Sequence, residues 1–530
     1  MSVLLRRSDD IPERSAYSSW ASIGDIVPTI EERARVPDIG PMLEKAFDQI
    51  AGDWLRLGKL LSADDSAGLA HTPACVANIS DFGLMLAWTE IVRDWVAGDA
   101  SILVVTDDPW LFRHLSRLEG VAAGAAPAIA VAEIRLWVRG YLARIRAALR
   151  FAAAAVAMRG QRAGGSAGKS AILVYGHPGS RPDGYDGYYG DLLTDLPNVD
   201  RLLHVDCPSD TARGLAGNGQ TRSLHAWGNP CRAFALVWSR WKPSASWKRH
   251  EAHWLVRRAA RREAGTASGA AIAWQRQCQQ NWLRSEKPRS VSWPWENHSW
   301  ERHMVRQCRA QNAVSIGYQH SVIGRHMLNY APGSNPDGLA SVPDTVLTSG
   351  LATSRQLADW GIPPDRLEVG GTWRINLNCA PSVSGEAPVL IPLPFDEQIA
   401  AEMIEAARTV KERTFIVKPH PMSPLSFEET GNIKRTDTPF AEHAALSAVV
   451  YAASTVGLES ALAGIPTFRF RPVTRMALDI LPDGLNLPVV DRNNLESSLK
   501  AGEAVKAFDR EQIFAAPDKI VWRKVLKADV

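Results

Sequence analysis

Apolar residues recur along this chain in two patterns. Between residues 40 and 100 they fall three and four apart, in LEKAFDQIAGDWLRLGKLL and LMLAWTEIVRDWVAG, which predicts amphipathic helices. ILVVTDD at 102–108 is instead a short β-branched run stopped by two aspartates, as a buried parallel strand would be. AILVYGHPGS at 171–180 reads the same way, and LLHVDCPS, from Leu202, predicts a third strand. The second half alternates more cleanly. Strands are predicted at 345–350, 366–371, 388–394, 414–421, 447–454 and 467–470, with helices ending at Trp360, spanning about 397–410, and running through Ala463. Such alternation predicts an α/β protein built from βαβ units with parallel sheets. APGSNPDGLASVPD at 331–344 has no periodicity and is rich in Pro, Gly, Ser and Asp, the composition of a hinge. The expected division is therefore 1–335, carrying helical Trp/Arg-rich insertions, and 336–530, closing with a C-terminal helix. Two Rossmann-like domains of this kind face a cleft, and ligands bind beyond the carboxyl ends of their strands.

Composition narrows the classes. At 530 residues the chain is long enough for several domains, and 45% hydrophobic with 22% charged residues excludes a disordered or fibrous protein. Lys+Arg 60 against Asp+Glu 57 leaves +3, which excludes a global polycation and disfavours nucleic acid as a partner. The six cysteines, Cys75, Cys207, Cys231, Cys278, Cys308 and Cys379, form no C-x-x-C pair and no metal-ligand spacing. Reduced thiols, no metal and no cofactor are expected. MSVLLRRSDD lacks the apolar core of a signal peptide, and no window reaches the roughly 18 apolar residues of a spanning helix. A cytoplasmic protein is expected, with any membrane contact peripheral.

Three strings carry candidate chemistry. AGGSAGKS at 163–170 nearly spells a phosphate-binding P-loop, but a helix precedes it and a strand follows, the reverse of what that loop needs. FIVKPHP at 415–421 ends a strand with Lys418 and His420 between two prolines that fix the loop, so a cation and an imidazole donor are presented together. YAASTVGLESALAGIP at 451–466 then places Ser454, Thr455 and Gly457 at a helix start, where free N–H groups and the helix dipole favour phosphate. Glu459 follows within reach of a ribose hydroxyl. Taken singly, these could be a rigid turn and an ordinary helix cap.

The run from Pro343 to Arg374, then KPHP, then STVGLESALAGIP, resembles the donor domain of GT-B glycosyltransferases of bacterial surface polysaccharide synthesis. It is most similar to the HP-motif group that uses CMP-activated sugars, including capsule Kdo transferases, and covers roughly residues 290–500. The resemblance implies His420 and Pro421 at the nucleotide phosphate, Ser454, Thr455 and Glu459 lining the nucleotide pocket, and Gly350 and Arg374 where the cleft closes on the donor. Upstream, WPWENHSWERHMVRQCRAQNAVSIGYQHSVIGRH at 293–326 resembles a surface-carbohydrate biosynthesis group. There Glu296 sits among Trp293, Trp295 and Trp300, and apolar neighbours raise a carboxyl's pKa toward that of a general base. Glu301 is a second candidate or an orienting partner. Tyr318, Gln319, His320 and Ser321 end a strand and are expected in the cleft, His320 as a catalytic candidate beside Glu296 and His420, the others with Glu301 and Arg325 on the acceptor side; a buried, hydrogen-bonded His320 is the alternative.

The expected function is transfer of a sugar, preferably a CMP-activated ulosonic acid, from a nucleotide-sugar donor to a surface polysaccharide or lipid-linked glycan. A CDP-polyol phosphotransferase, a nucleotide-sugar epimerase and a non-catalytic membrane- or RNA-binding scaffold remain as alternatives. Two stretches, 222–262 and 134–151, interleave arginines with aromatics and suit an anionic membrane surface or a solvated helix face. Tryptophan, at 19, outnumbers Phe (13) and Tyr (9) and crowds residues 227–300. Indoles offer flat faces to sugars and anchors to a membrane interface, with core packing as the alternative for each.

Overall fold

A computed structural model describes residues 3–26, 29–64, 66–72, 80–98, 101–164, 168–373, 375, 380–420, 423, 425–482, 484–502 and 509–527. Three parallel sheets organise it. The first has order β2-β3-β1-β4, from β1 (Val3–Arg6), β2 (Ser19–Ser22), β3 (Ile102–Val105) and β4 (Val121–Ala123). The second has order β11-β10-β9-β8-β5-β6-β7, from β5 (Ser170–Val174), β6 (Val199–Leu203), β7 (Thr221–Ser223), β8 (Ser290–Pro294), β9 (Val314–Gln319), β10 (Thr345–Thr348) and β11 (Leu367–Val369). After the short pair β12 (Ser382–Val383) and β16 (Ala445–Leu446), the third has order β15-β14-β13-β17-β18-β19. Its strands are β13 (Val389–Pro392), β14 (Phe415–Lys418), β15 (Ile433–Arg435), β17 (Ala448–Tyr451), β18 (Thr467–Phe470) and β19 (Val489–Val490). The second and third sheets are the centres of two parallel-sheet α/β domains.

The domain boundary differs from the expected one. β10 and β11 pair within the second sheet, so the chain leaves that domain only after Val369, not at 335. The segment 331–344 is not a hinge, because its polar side chains are bonded into the domain. Arg302 Nη2 donates to Ser334 Oγ at 2.9 Å, and Asp344 accepts from the Ser315 backbone and hydroxyl at 3.0 and 2.7 Å. The C-terminal helix Lys519–Leu526 also returns to the second domain: Trp522, fully buried, donates to the Gly370 carbonyl at 2.9 Å, and Ser290 Oγ donates to the Leu526 carbonyl at 3.0 Å.

The four-stranded sheet was not anticipated as a separate unit. It packs under α1 (Ile39–Ser62) and α2 (Phe82–Ala97), with α3 (Pro109–Leu115) leading on to the long α4 (Ile129–Met158). Trp241, Trp247 and Leu255, from the second domain's sequence, complete its core. Buried indoles at 227, 241, 247, 274, 282, 293, 295 and 300 show that most of the tryptophan excess is packing. Arg222 and Arg258 from the basic stretch are likewise internal, Arg222 paired with Asp200 at 2.9 Å and Arg258 with Asp81 and Asp108 at 2.6 Å. Among the described residues no helix is long and apolar enough to cross a membrane.

The three units meet at one charge network, buried at Glu44, Arg469 and His326 and exposed at Asp48 and Arg325. Arg469, on β18, donates to Glu44 of α1 and lies 3.6 Å from Asp479. His326, past β9, pairs with Asp48 of α1 through Nε2 at 2.9 Å while Nδ1 accepts the Asp479 backbone N–H at 3.3 Å. Arg325 spans Glu44, Asp48 and Asp479. Against the cost of burial, the Asp479 and Glu44 carboxylates hold the Arg469 guanidinium above its ordinary value. Removing one member of a buried pair strands the other charge at a cost of about 3–5 kcal/mol. Arg469→Ala is expected to lower the urea midpoint of unfolding by an equivalent amount; an unchanged midpoint would show that the network does not hold the units together.

Candidate functional site

The carboxyl edge of the second sheet gathers the chemistry. β5 leads into Tyr175 and His177, β6 into His204 and Asp206, β8 into Glu296 and His298, and β9 into His320. Their rings pack as one cluster: Tyr175 lies 4.7 Å from His204, His204 5.1 Å from Trp300, and Tyr188 stands edge-on to His320 at 5.1 Å. His204 Nδ1 pairs with Asp206 at 3.2 Å, and its buried Nε2 has no hydrogen-bond partner among the described residues. Burial, with the carboxylates of Glu301 and Glu296 adding to it, pushes the Tyr175 phenol well above its ordinary value.

Within this edge, Glu296 and His298 form a dyad, with His298 Nε2 2.7 Å from Glu296 Oε2. The turn carrying them is held by Glu301, whose Oε2 accepts from the backbone N–H groups of Glu296 and Asn297, both at 2.9 Å, and from Trp293 Nε1 at 3.2 Å. Asn297 occupies the left-handed region, φ 57°, which an Asn tolerates better than most residues. The expected assignment of the two carboxyls is thereby corrected. Glu296 is partly exposed and bonded to an imidazole, whereas fully buried Glu301 carries the raised carboxyl, pushed up to about 7 by burial. Glu301 is the orienting partner.

Several expected site residues prove to be packing groups. Tyr318 is fully buried, its hydroxyl accepting the Trp373 backbone N–H at 3.1 Å. Gln319 bonds to the Ser321 carbonyl and accepts from Ser349 Oγ at 3.3 Å, and Ser321's carbonyl accepts from Ser349 Oγ at 2.9 Å. A Cβ at Gly350 would lie 2.4 Å from the Ile513 carbonyl, so that glycine serves the close approach of 512–513. A Cβ at Gly457 would lie 2.2 Å from the Tyr451 ring, and that glycine lets its helix seat on β17. Arg325 belongs to the interdomain charge network. Arg374 and Pro421 lie outside the described residues.

On the third sheet, Lys418 ends β14 and donates to the Thr438 carbonyl at 3.0 Å. Burial holds its ammonium below the ordinary value, against the opposing carboxylates of Asp437, Glu442 and Glu459. His420 is half-buried, edge-on to Phe395 at 5.7 Å, and burial also lowers its imidazole. Ser454 precedes the helix Thr455–Leu462 and does not cap it with its side chain. Val322, two residues past His320, shares an apolar cluster with Tyr451 and Leu458, so the ends of β9 and β17 meet across the domain seam.

A cavity of about 1310 Å³ opens beside this edge, at the carboxyl ends of β2 and β3. Asp107, Asp108, Arg139, Arg258 and Asp396 line it, and so does His71. His71 stands edge-on to His298 at 5.8 Å, which brings the cavity wall to the dyad. Burial lowers the His71 imidazole to about 4. His71, His204 and His298 escaped the sequence reading because each is a single histidine in a loop with no spacing to mark it. Among the described residues no group of three or more His, Cys, Asp or Glu is placed to hold a metal ion.

No protein-family model matches the chain, and no curated protein matches it. Among solved structures it is similar to the UDP-GlcNAc 2-epimerase from Neisseria meningitidis bound to UDP-GlcNAc, 12% identical, TM-score 0.40, covering 67% of this chain and 99% of that one. It is also similar to Arabidopsis thaliana UGT89C1, 14% identical, TM-score 0.38, covering 65% and 92%. A third is the glycosyltransferase SnogD from Streptomyces nogalater, 12% identical, TM-score 0.33, covering 63% and 93%. At this level the likenesses bear on neither the donor nor the chemistry.

Glu301 yields a pH prediction. Its folded pKa of about 7 lies above its ordinary value, so the folded state holds the proton more tightly and stability falls as pH rises from about 4.5 to 7. The loss is about 3 kcal/mol at most. Glu301→Gln is expected to flatten that dependence in urea unfolding at pH 5 and pH 8; an identical slope in both proteins would refute the assignment.

Proposed function

We propose that the protein is a GT-B glycosyltransferase that moves a sugar from a nucleotide donor to a glycan acceptor. The observation that carries this reading is the Glu296–His298 pair at the carboxyl end of β8, beside a large polar cavity. Glu296 takes the proton of the acceptor hydroxyl, and His298 holds its carboxylate in place. Lys418, His420 and the N–H groups at Ser454 and Thr455 bind the nucleotide phosphate and stabilise the charge it gains on leaving. Burial lowers the His420 imidazole, and the ring donates a hydrogen bond to the phosphate. Glu459 accepts from a ribose hydroxyl. The acceptor occupies the cavity bounded by His71 and Asp108. A CMP-activated ulosonic acid is the donor we favour, on the KPHP and STVGLES strings alone; a surface polysaccharide or lipid-linked glycan is the acceptor that goes with it.

The test is a turnover screen across CMP-, UDP-, GDP- and CDP-sugars. One donor class is expected to be consumed, with Glu296→Gln lowering kcat by about 10²–10⁴ and leaving the donor KM nearly unchanged. Consumption of no donor, or full activity in Glu296→Gln, would refute the mechanism. Isomerisation of the donor sugar without an acceptor would assign an epimerase instead.

A further inference from the structure

α4 exposes far more apolar surface than its packing explains. Gly140, Ala147, Phe151, Ala154 and Met158 face inward. On the other side Val131, Ile134, Val138, Leu142, Leu149 and Val156 stand in solvent, with Val131 at 65% and Ile134 at 64% exposure. At 100° per residue these six fall on one stripe, about 37 Å long from first to last. Arg135, Arg146 and Arg150 run along one flank of it. On the other flank Trp137 stacks on Tyr141 at 5.8 Å, Tyr141 meets Trp238 at 5.9 Å, and Trp238 and Phe234 are 66% and 60% exposed. A monomer rarely leaves such a continuous apolar strip uncovered.

The surrounding charge selects the occupant. α4 carries five arginines and one acid, Glu133, which is itself paired with Arg257 at 2.7 Å and Arg261 at 3.4 Å. Those two arginines line a cavity of about 560 Å³ together with Arg240, Lys242 and Lys248, and its described lining holds no carboxylate. An apolar stripe flanked by arginines and indoles, next to a cationic cavity, matches an anionic bilayer at both levels: acyl boundary for the stripe, headgroup phosphate for the cations.

We propose that α4, with Phe234 and Trp238, lies on the surface of an anionic phospholipid membrane. Arg139, on the same helix, lines the large cavity, so docking in this orientation sets that cavity at the bilayer surface. The docking stands independently of whether the site transfers a sugar.

The experiment is co-sedimentation of the full chain with phosphatidylcholine vesicles containing about one-third phosphatidylglycerol. The wild type is expected to bind, to weaken in high salt, and to bind pure phosphatidylcholine poorly. Ile134→Glu/Leu142→Glu is expected to bind at least about tenfold more weakly. Ile520→Glu, at an exposed site on the C-terminal helix, serves as the control and is expected to bind like wild type. Should the double variant misfold, hydrogen exchange of the wild type gives the same answer, with slowed exchange confined to 129–158 and 234–238 on adding vesicles. Absence of vesicle binding, or equal binding by the double variant, would overturn the proposal. So would a wild-type dimer that the double variant breaks, or RNA binding through the same face, in the absence of vesicle binding.

Discussion

The seam of this molecule is held by contacts among Glu44, Arg469, Asp479, Asp48, His326 and Arg325, with Glu44, Arg469 and His326 buried at their centre and Asp48 and Arg325 at the exposed rim. Each of the three units supplies part of it: α1 the acids, the loop past β9 a histidine and an arginine, the third sheet Arg469 and Asp479. Buried ion pairs give little net stability, because desolvation offsets their attraction. Their value here is directional. His326 pairs with Asp48 of α1 through Nε2 and accepts the Asp479 backbone N–H at Nδ1, so one ring ties α1 to the segment that follows β18. A Cβ at Gly324 would lie 1.8 Å from the Asp479 carbonyl, so the same loop approaches as closely as backbone allows. Fixing this loop fixes His320 at one end and brings Val322 to Tyr451 at the other.

The candidate site applies the same economy. One buried carboxyl, Glu301, organises two backbone N–H groups and an indole, and so presents Glu296 and His298 outward from a rigid turn. A charged group held in that position would be costly, and burial answers by raising its pKa toward neutrality. The Glu296 carboxylate is then partly exposed and free of the apolar surroundings that its sequence neighbours suggested. Trp293 and Trp295 lie beneath it as core, not around it as a pocket.

Much of the fold was legible from the sequence wherever a strand is a short run led by apolar residues between turn or helix signals. β3, β10, β11, β13, β14, β17 and β18 all fall within their predicted windows, and β5 starts one residue before its own. β6 did not, since Asp200 and Arg201 interrupt its apolar run. Both are buried because Arg222 pairs with Asp200 and Arg201 lies 3.5 Å from Asp186, partners distant in sequence. The hinge was misplaced for a related reason: Pro, Gly and Ser mark irregular backbone, but only tertiary hydrogen bonds decide whether it is mobile or built in. Of the candidate site, KPHP and the helix start at 455 could be read from local chemistry. The histidine cluster could not, since strands β5, β6, β8 and β9 assemble it from positions 175 to 320.

On the proposed reading, the ends of β14 and β17 form a nucleotide site. Calorimetric titration of the intact protein with CMP, CDP, UDP and GDP tests it directly. One of them is expected to bind, with His420→Ala weakening it at least about tenfold, equivalent to about 1.4 kcal/mol, and Glu296→Gln leaving it unchanged. Binding of none of the four, or binding indifferent to His420→Ala, would contradict it.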